Sequence, residues 1–179
     1  KEGEADDEEP LPELVKETFQ IENALRFQRQ AVTVSERTLG LDHPDTMVHY
    51  INLSALERSA GHFDVALRYQ DRIMELWQLL YGRDHPDAVH TLSSIALLLQ
   101  SRQDFDTSLQ AYQSSHDLAL RLFGPDSIYT GNMAHELSQA YTLSGDLKTA
   151  IQVEKDAWRI FQDRLGAEDA LTQESQSFL

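Results

Sequence analysis

The 179-residue sequence has no cysteine, which excludes a disulfide framework, a thiolate zinc site and a cysteine nucleophile. Positive charge is also scarce. Against 30 Asp and Glu there are only 15 Lys and Arg, a net charge of −15. A chain this acidic repels phosphate at long range, which disfavours RNA capture through a basic groove and attachment to an anionic membrane surface. No apolar run approaches the roughly 20 residues that span a bilayer, and no charged-then-apolar leader opens the chain. A soluble, cytoplasmic protein without membrane insertion is expected. Hydrophobic residues nevertheless make up 41% of the chain, enough to build a core.

Recognisable catalytic punctuation is missing too. The sequence carries no G-x-G-x-x-G, no P-loop and no G-x-S-x-G, so nucleotide and esterase chemistry have no anchor. The seven histidines lack an HExxH context. His43 and His85 recur beside proline, which reads as a turn role rather than a metal site. No enzyme, no cofactor and no metal are expected.

What the sequence does contain is a strict period. Gly40, Gly82, Gly124 and Gly166 are spaced by 42 residues, each followed two positions later by an acid: Asp42, Asp84, Asp126 and Glu168. The columns Ile21, Phe63, Phe105, Leu147 and Ala24, Ala66, Ser108, Ala150 keep the same spacing. Such coincident columns mark a tandem array. Each unit holds two stretches with helical apolar spacing. Helix A covers about residues 46–60, 88–102 and 128–144, and helix B about 63–80, 105–122 and 147–164. A lone B-type helix over 12–38 precedes the first pair, and a partial A-type helix over 169–179 follows the last, giving repeats at about 46–80, 88–122 and 128–164 within an array spanning 12–179. The chain opens with Lys1 and ends at Leu179 on what reads as an unfinished helix, so it is read as part of something longer. Residues 1–11, with Glu2, Glu4, Asp6, Asp7, Glu8 and Glu9, read as an acidic disordered linker; a specific docking tail is the sharper alternative.

Pro44 and Pro86 stand where a helix can start without needing an N–H, and the short A-to-B turns at 60–62, 102–104 and 144–146 impose antiparallel pairs. Small residues Ser54, Ala96 and Ser138 on helix A face Ala66, Ser108 and Ala150 on helix B, which lets the backbones approach closely. This pairing is similar to the tetratricopeptide (TPR) pattern, although the usual unit is nearer 34 residues. The fold expected is all-α: a right-handed α-solenoid of 42-residue helix-turn-helix repeats. The LG-x-D-H-P linkers resemble kinesin light chain. The run Ala24 to Val32, with Ser35 to Gly40 and His43-Pro44-Asp45-Thr46, and again Ala150 to Lys155, more closely resembles the TPR region of the clustered-mitochondria (Clu) family, over about residues 20–179.

In such arrays helix A lines an extended concave surface. Among the outward positions left after subtracting the packed columns, Asn52, Arg58, His90, Ser94, Gln100, Asn132, His135 and Gln139 are the candidate partner-binding residues. They are mostly amides, hydroxyls and imidazoles, able to bond a peptide backbone. The bland alternative for each is an ordinary solvated helix position. The aromatics Trp77, Trp158, Tyr69 and Phe161 on B helices read as inter-repeat core rather than stacking platforms for bases.

A non-catalytic docking scaffold for proteins or peptides follows, with self-association through the end repeats. The Clu resemblance implies a parent that binds messenger RNAs for mitochondrial proteins, as mRNA or ribonucleoprotein, and maintains mitochondrial distribution. Two alternatives stand beside it. One is direct RNA binding by the array, against which Arg26, Arg29, Arg68, Arg72, Lys155 and Arg159 are interspersed with acids. The other is a kinesin-light-chain-like cargo adaptor, in which an Asn pair on helix A grips the peptide. The matching pairs here are Ile51-Asn52, Ser93-Ser94 and His135-Glu136, of which only Asn52 fits.

Overall fold

In the computed structural model residues 13–179 are described, with side chains from Thr18 onward; the acidic stretch 1–11 lies outside them. All regular structure among the described residues is helical: α1 (Glu13–Thr38), α2 (Pro44–Ser59), α3 (Phe63–Tyr81), α4 (Pro86–Ser101), α5 (Phe105–Phe123), α6 (Ile128–Ser144), α7 (Leu147–Leu165) and α8 (Ala170–Phe178). The chain forms two compact units, residues 1–62 and 63–179. The first contains α1 and α2, the second α3 to α8.

The A-type helices begin by one device repeated every 42 residues. The side chains of His43, His85, Ser127 and Asp169 each accept the backbone N–H two residues on, from Asp45, Asp87, Tyr129 and Leu171, at 3.1, 3.3, 3.3 and 3.0 Å. For the two imidazoles the acceptor is Nδ1, so in the neutral ring the proton sits on Nε2. With these caps in place, α2 and α4 start at Pro44 and Pro86, two residues ahead of the spans read from apolar spacing. Proline has no N–H to satisfy there, and its fixed φ is already helical.

The A-to-B turns share a left-handed residue. Gly61 and Gly145 hold φ of +78° and +86°, and the position between them in the 42-residue register is Gln103, at +64°. Only glycine takes this conformation without a Cβ clash, so the middle turn carries local strain that its two counterparts lack.

In the first unit Leu25 and Val32 of α1 and Met47, Tyr50 and Leu53 of α2 are buried. Polar bonds tie the same two helices. Ser35 and Thr46 share a buried hydroxyl contact at 2.8 Å, and the Tyr50 hydroxyl donates to Glu36 at 2.8 Å.

In the second unit the cores are local to neighbouring helices, as a repeat architecture requires. Ala88 and Val89 of α4, Leu118 and Ala119 of α5 and Met133 of α6 form one cluster with Met74 of α3 against it. Ala134 of α6 packs with Ala157 and Phe161 of α7 and Leu171 of α8. The small columns work as close-approach points: the Ser108 hydroxyl donates to the Ala96 carbonyl at 2.8 Å, while Ser138 and Ala150 are both buried. A compensating swap fills the next layer. Where α4 and α5 bring Val89 beside Ala119, α6 and α7 bring Gly131 beside Phe161. A Cβ on Gly131 would stand 2.8 Å from the Phe161 ring and 3.2 Å from Ile160. The helix interior accepts glycine there because a large side chain occupies the space a Cβ would need.

The aromatics expected as core behave differently from one another. Trp77 and Phe161 are buried and Trp158 half-buried. Trp77 donates its indole N–H to Thr91 at 3.2 Å and stacks on His85 with centroids 4.5 Å apart. The helix-capping histidine thereby extends the core to the inter-repeat turn.

Candidate functional site

In the 63–179 unit the three A-type helices are joined by side chains. Between α4 and α6, the Ser93 hydroxyl donates to Glu136 at 2.5 Å and the His90 and Tyr129 rings meet in a T-shape with centroids 6.2 Å apart. Between α6 and α8, His135 stands edge-on to Phe178 at 5.9 Å and 3.9 Å from the Glu174 carboxylate. These contacts make α4, α6 and α8 one continuous layer.

The candidate residues divide between the two units. Asn52 and Arg58 are exposed on α2 of the first. The second holds the other six. His90 is exposed on α4, where Ser94 and Gln100 are half-buried; on α6, Gln139 is exposed and Asn132 half-buried. None of the described residues hydrogen-bonds the side chains of Ser94, Gln100 or Asn132, so these polar groups keep their bonding capacity. His135 is different. Only 13% of its side chain is exposed, and its ring is turned into the helix layer.

There it meets a group that apolar periodicity alone does not reveal. Glu154 of α7 is fully buried and accepts from His135 Nδ1 at 2.8 Å, from Ser138 of α6 and from Ser175 of α8. A carboxylate out of water requires such partners. The hydrogen bond to Glu154 is the main cause holding the His135 pKa above its ordinary value. Burial opposes it, and the charges of Glu154, Glu174 and Glu136 add to it. Gln139 caps the cluster at 2.9 Å from His135 Nε2. Both serine hydroxyls donate to the carboxylate and neither to the imidazole, so the nucleophile-to-base bond of acyl transfer is not formed. Among the described residues no group of three or more His, Asp and Glu is placed to hold a metal ion.

A sequence signal for Glu154 does exist. Its column reads Gln28, Gln70, Tyr112, Glu154, polar throughout although it faces inward; the last three are buried. Tyr112, buried near the Glu136 charge, has its phenol pushed up to about 12.

Charge on this unit is sorted by helix type. Arg68, Arg72, Arg121, Lys148, Lys155, Arg159 and Arg164 lie on α3, α5 and α7, Arg83 and Arg102 lie between helices, and α4, α6 and α8 carry no Lys or Arg. Several of those cations pair with acids: Arg72 with Glu75 at 3.0 Å, Arg121 with Asp84 at 3.5 Å and Arg159 with Asp126 at 3.7 Å. No helix of the described residues is long and apolar enough to cross a membrane.

Comparison with known proteins fits this geometry. The tetratricopeptide repeat family model matches residues 16–72 and 87–163. A clustered mitochondria protein homolog of Malassezia globosa is 80% identical over 172 residues, 96% of this chain and 13% of that protein. The homolog of Mycosarcoma maydis is 58% identical over 171 residues, again 96% of this chain and 12% of the relative, and that of Emericella nidulans 37% identical over 169 residues, 94% of this chain and 14% of the relative. The chain therefore spans only a small part of these relatives. Among solved structures, a putative kinesin light chain of Podosopora anserina with nearly identical TPR-like repeats aligns at TM-score 0.77 and 17% identity, over 91% of this chain and 77% of that one. BtubC (BKLC) from P. vanneervenii aligns at 0.67 and 14% identity, over 92% of this chain and 63% of that one. At such identities the likeness concerns the fold.

Proposed function

The chain belongs to the tetratricopeptide repeat family, an all-α solenoid fold, and from that premise we propose that it is a non-catalytic docking segment of a Clu-type protein, holding a peptide of a protein partner on its A-helix layer. The observation that supports this reading best is the layer of α4, α6 and α8. Its half-buried Ser94, Gln100 and Asn132 carry no internal bond, and its exposed apolar groups include Leu97 and Tyr129. Backbone recognition needs polar groups of that kind beside apolar contact area. Asn52 and Arg58, exposed on α2, are candidates of the first unit taken by itself.

Similarity to clustered mitochondria proteins supports a cytoplasmic parent that acts on mitochondrial distribution and on mRNAs for mitochondrial proteins. RNA contact is assigned to other parts of that parent, because the cations here are spread over the B helices among paired acids. Self-association through the terminal helices belongs to the same reading; α1 exposes Phe19, Phe27 and Val34, each at least 60% accessible.

The test is a selection of short random peptides on the immobilised chain, followed by affinity measurement on a variant with His90, Asn132 and Gln139 changed to Ala. Loss of about tenfold or more is expected. Equal affinity for the variant contradicts the assignment. Filter binding of RNA at low salt is expected to be weak; submicromolar affinity with a steep salt slope contradicts the placement of RNA contact elsewhere.

A further inference from the structure

The docking layer has a sign of charge, and the sign specifies a partner. Beside the imidazoles of His90 and His135, the charged residues within α4, α6 and α8 are Asp87, Glu136 and Glu174, all acidic. Glu136 is the informative one. It is half-buried, its carboxylate accepts from the neutral Ser93 hydroxyl at 2.5 Å, and among the described residues no Lys or Arg reaches it within ion-pair distance. Its charge is felt inside the unit, where it helps to push Tyr112 up to about 12. Glu174 is 62% exposed, and among the described residues its carboxylate pairs with the imidazole of His135, at 3.9 Å.

Register puts these two acids in the docking columns. Glu136 occupies the column of Asn52, Ser94 and Phe178, and Glu174 the column of Val48, His90 and Asn132. On the same helix as Glu136, Tyr129 is half-exposed, stacked on Phe123 with centroids 4.9 Å apart and T-shaped to His90 at 6.2 Å. A braced aromatic face of this kind takes a guanidinium or ammonium group.

We infer that the A-helix layer of residues 63–179 selects an extended peptide bearing Lys or Arg, with Glu136 and Glu174 as its charge anchors and Tyr129 as a flanking aromatic contact. The inference rests on the docking reading above and adds the chemistry of the partner. Geometry and charge complementarity both carry it: a carboxylate paired with no Lys or Arg, on a layer whose helices contain neither and whose imidazole His135 is turned toward the buried Glu154, beside amide and hydroxyl groups free to hold a peptide backbone. An acidic or phosphorylated segment would instead bring like charge against Glu136.

The experiment uses the full 179-residue chain at physiological ionic strength and fluorescein-labelled peptides of one length: Lys/Arg-bearing, Asp/Glu-bearing, and neutral. The Lys/Arg peptide is expected to bind at least about tenfold more tightly than either of the others. Glu136→Gln with Glu174→Gln should remove most of that preference. Because a chain of net charge −15 attracts any cation, Asp117→Asn with Asp163→Asn, on the exposed surface of α5 and α7, serves as the equal-charge control and should leave affinity within about twofold. Circular dichroism melts establish that each variant is folded. Should both double variants weaken binding equally, attraction is only global and the inference fails. Preference for the acidic or neutral peptide, with binding still lost in the variant of His90, Asn132 and Gln139, overturns the inference and leaves the docking reading standing. Absence of binding by all three peptides, together with failure of the random selection, overturns both.

Discussion

Among the described residues each unit buries one carboxylate completely, and the two are held in different ways. Glu57 of α2 is paired with Arg29 of α1 at 2.7 Å and with His62 of the following turn at 2.8 Å. The side chains of both partners are about half exposed, at 55% and 50%. Glu154 of α7 has no Arg or Lys among its bonded partners. His135, with 13% of its side chain exposed, and the buried Ser138 and Ser175 supply its bonds. The first carboxylate leans on a guanidinium that stays charged at any ordinary pH; the second on a titratable ring and two neutral hydroxyls. The contrast shows where a missing partner can be replaced by water and where it cannot.

Deleting the two carboxylates measures that contrast with the largest expected effect. Glu154→Ala strands an imidazole and two hydroxyls among α6, α7 and α8, and should cost about 3–5 kcal/mol. Glu57→Ala leaves Arg29 and His62 free to rehydrate and should cost roughly 1–3 kcal/mol. Hydrogen exchange, read separately on the helices of each unit, checks both. Equal losses would mean that partner exposure is not what separates the sites.

Packing supplies the next prediction. Gly131→Ala gains helix propensity, about 1 kcal/mol, but drives a methyl to 2.8 Å from the buried Phe161 ring, an overpacking cost of about 1–3 kcal/mol. A net loss is expected in urea denaturation. Pairing it with Phe161→Leu should recover part of that loss, since the smaller side chain vacates the contact.

The titration behaviour follows from His135. Its folded pKa is raised, chiefly by the Glu154 hydrogen bond, so the protonated ring stabilises the fold fully below its unfolded pKa of about 6.5. That contribution disappears as pH rises through the higher folded pKa. The stability difference between the wild-type chain and His135→Gln should therefore shrink from pH 6 to pH 9, while the difference between wild type and Arg29→Gln stays level. Thermal melts across that range decide between a charged and a neutral ring.

The smallest effect concerns a turn. Gln103 holds the left-handed conformation that glycine takes at 61 and 145, and Gln103→Gly should stabilise the chain by about 0.5–1 kcal/mol. Destabilisation on chemical denaturation would show that the glutamine side chain offsets its backbone strain.

The helical, repeated nature of the chain was legible because its determinants are local. Capping residues, turn glycines and apolar columns act within one repeat, and all recur at 42 residues. The starts of α2 and α4 ran two residues beyond the apolar pattern because His43 and His85 cap through Nδ1, a role imidazole fills less often than serine or aspartate. The docking layer was only partly legible. Helical spacing left both His90 and His135 pointing outward, yet packing exposes His90 and draws His135 toward Glu154. That outcome depends on a charge in a neighbouring helix, which no single-helix pattern contains. Glu57 was hidden for a related reason: its column reads Leu99 and Tyr141 in the later repeats, and only the arrival of Arg29 from α1 makes a charge tolerable there.

The account is tested most directly by amide chemical-shift mapping of the full chain, titrated with a peptide obtained from the random selection. It predicts perturbations concentrated on α4, α6 and α8 around Ser94, Asn132 and Gln139. Perturbations confined to α3, α5 and α7, or scattered without preference for either layer, would contradict it.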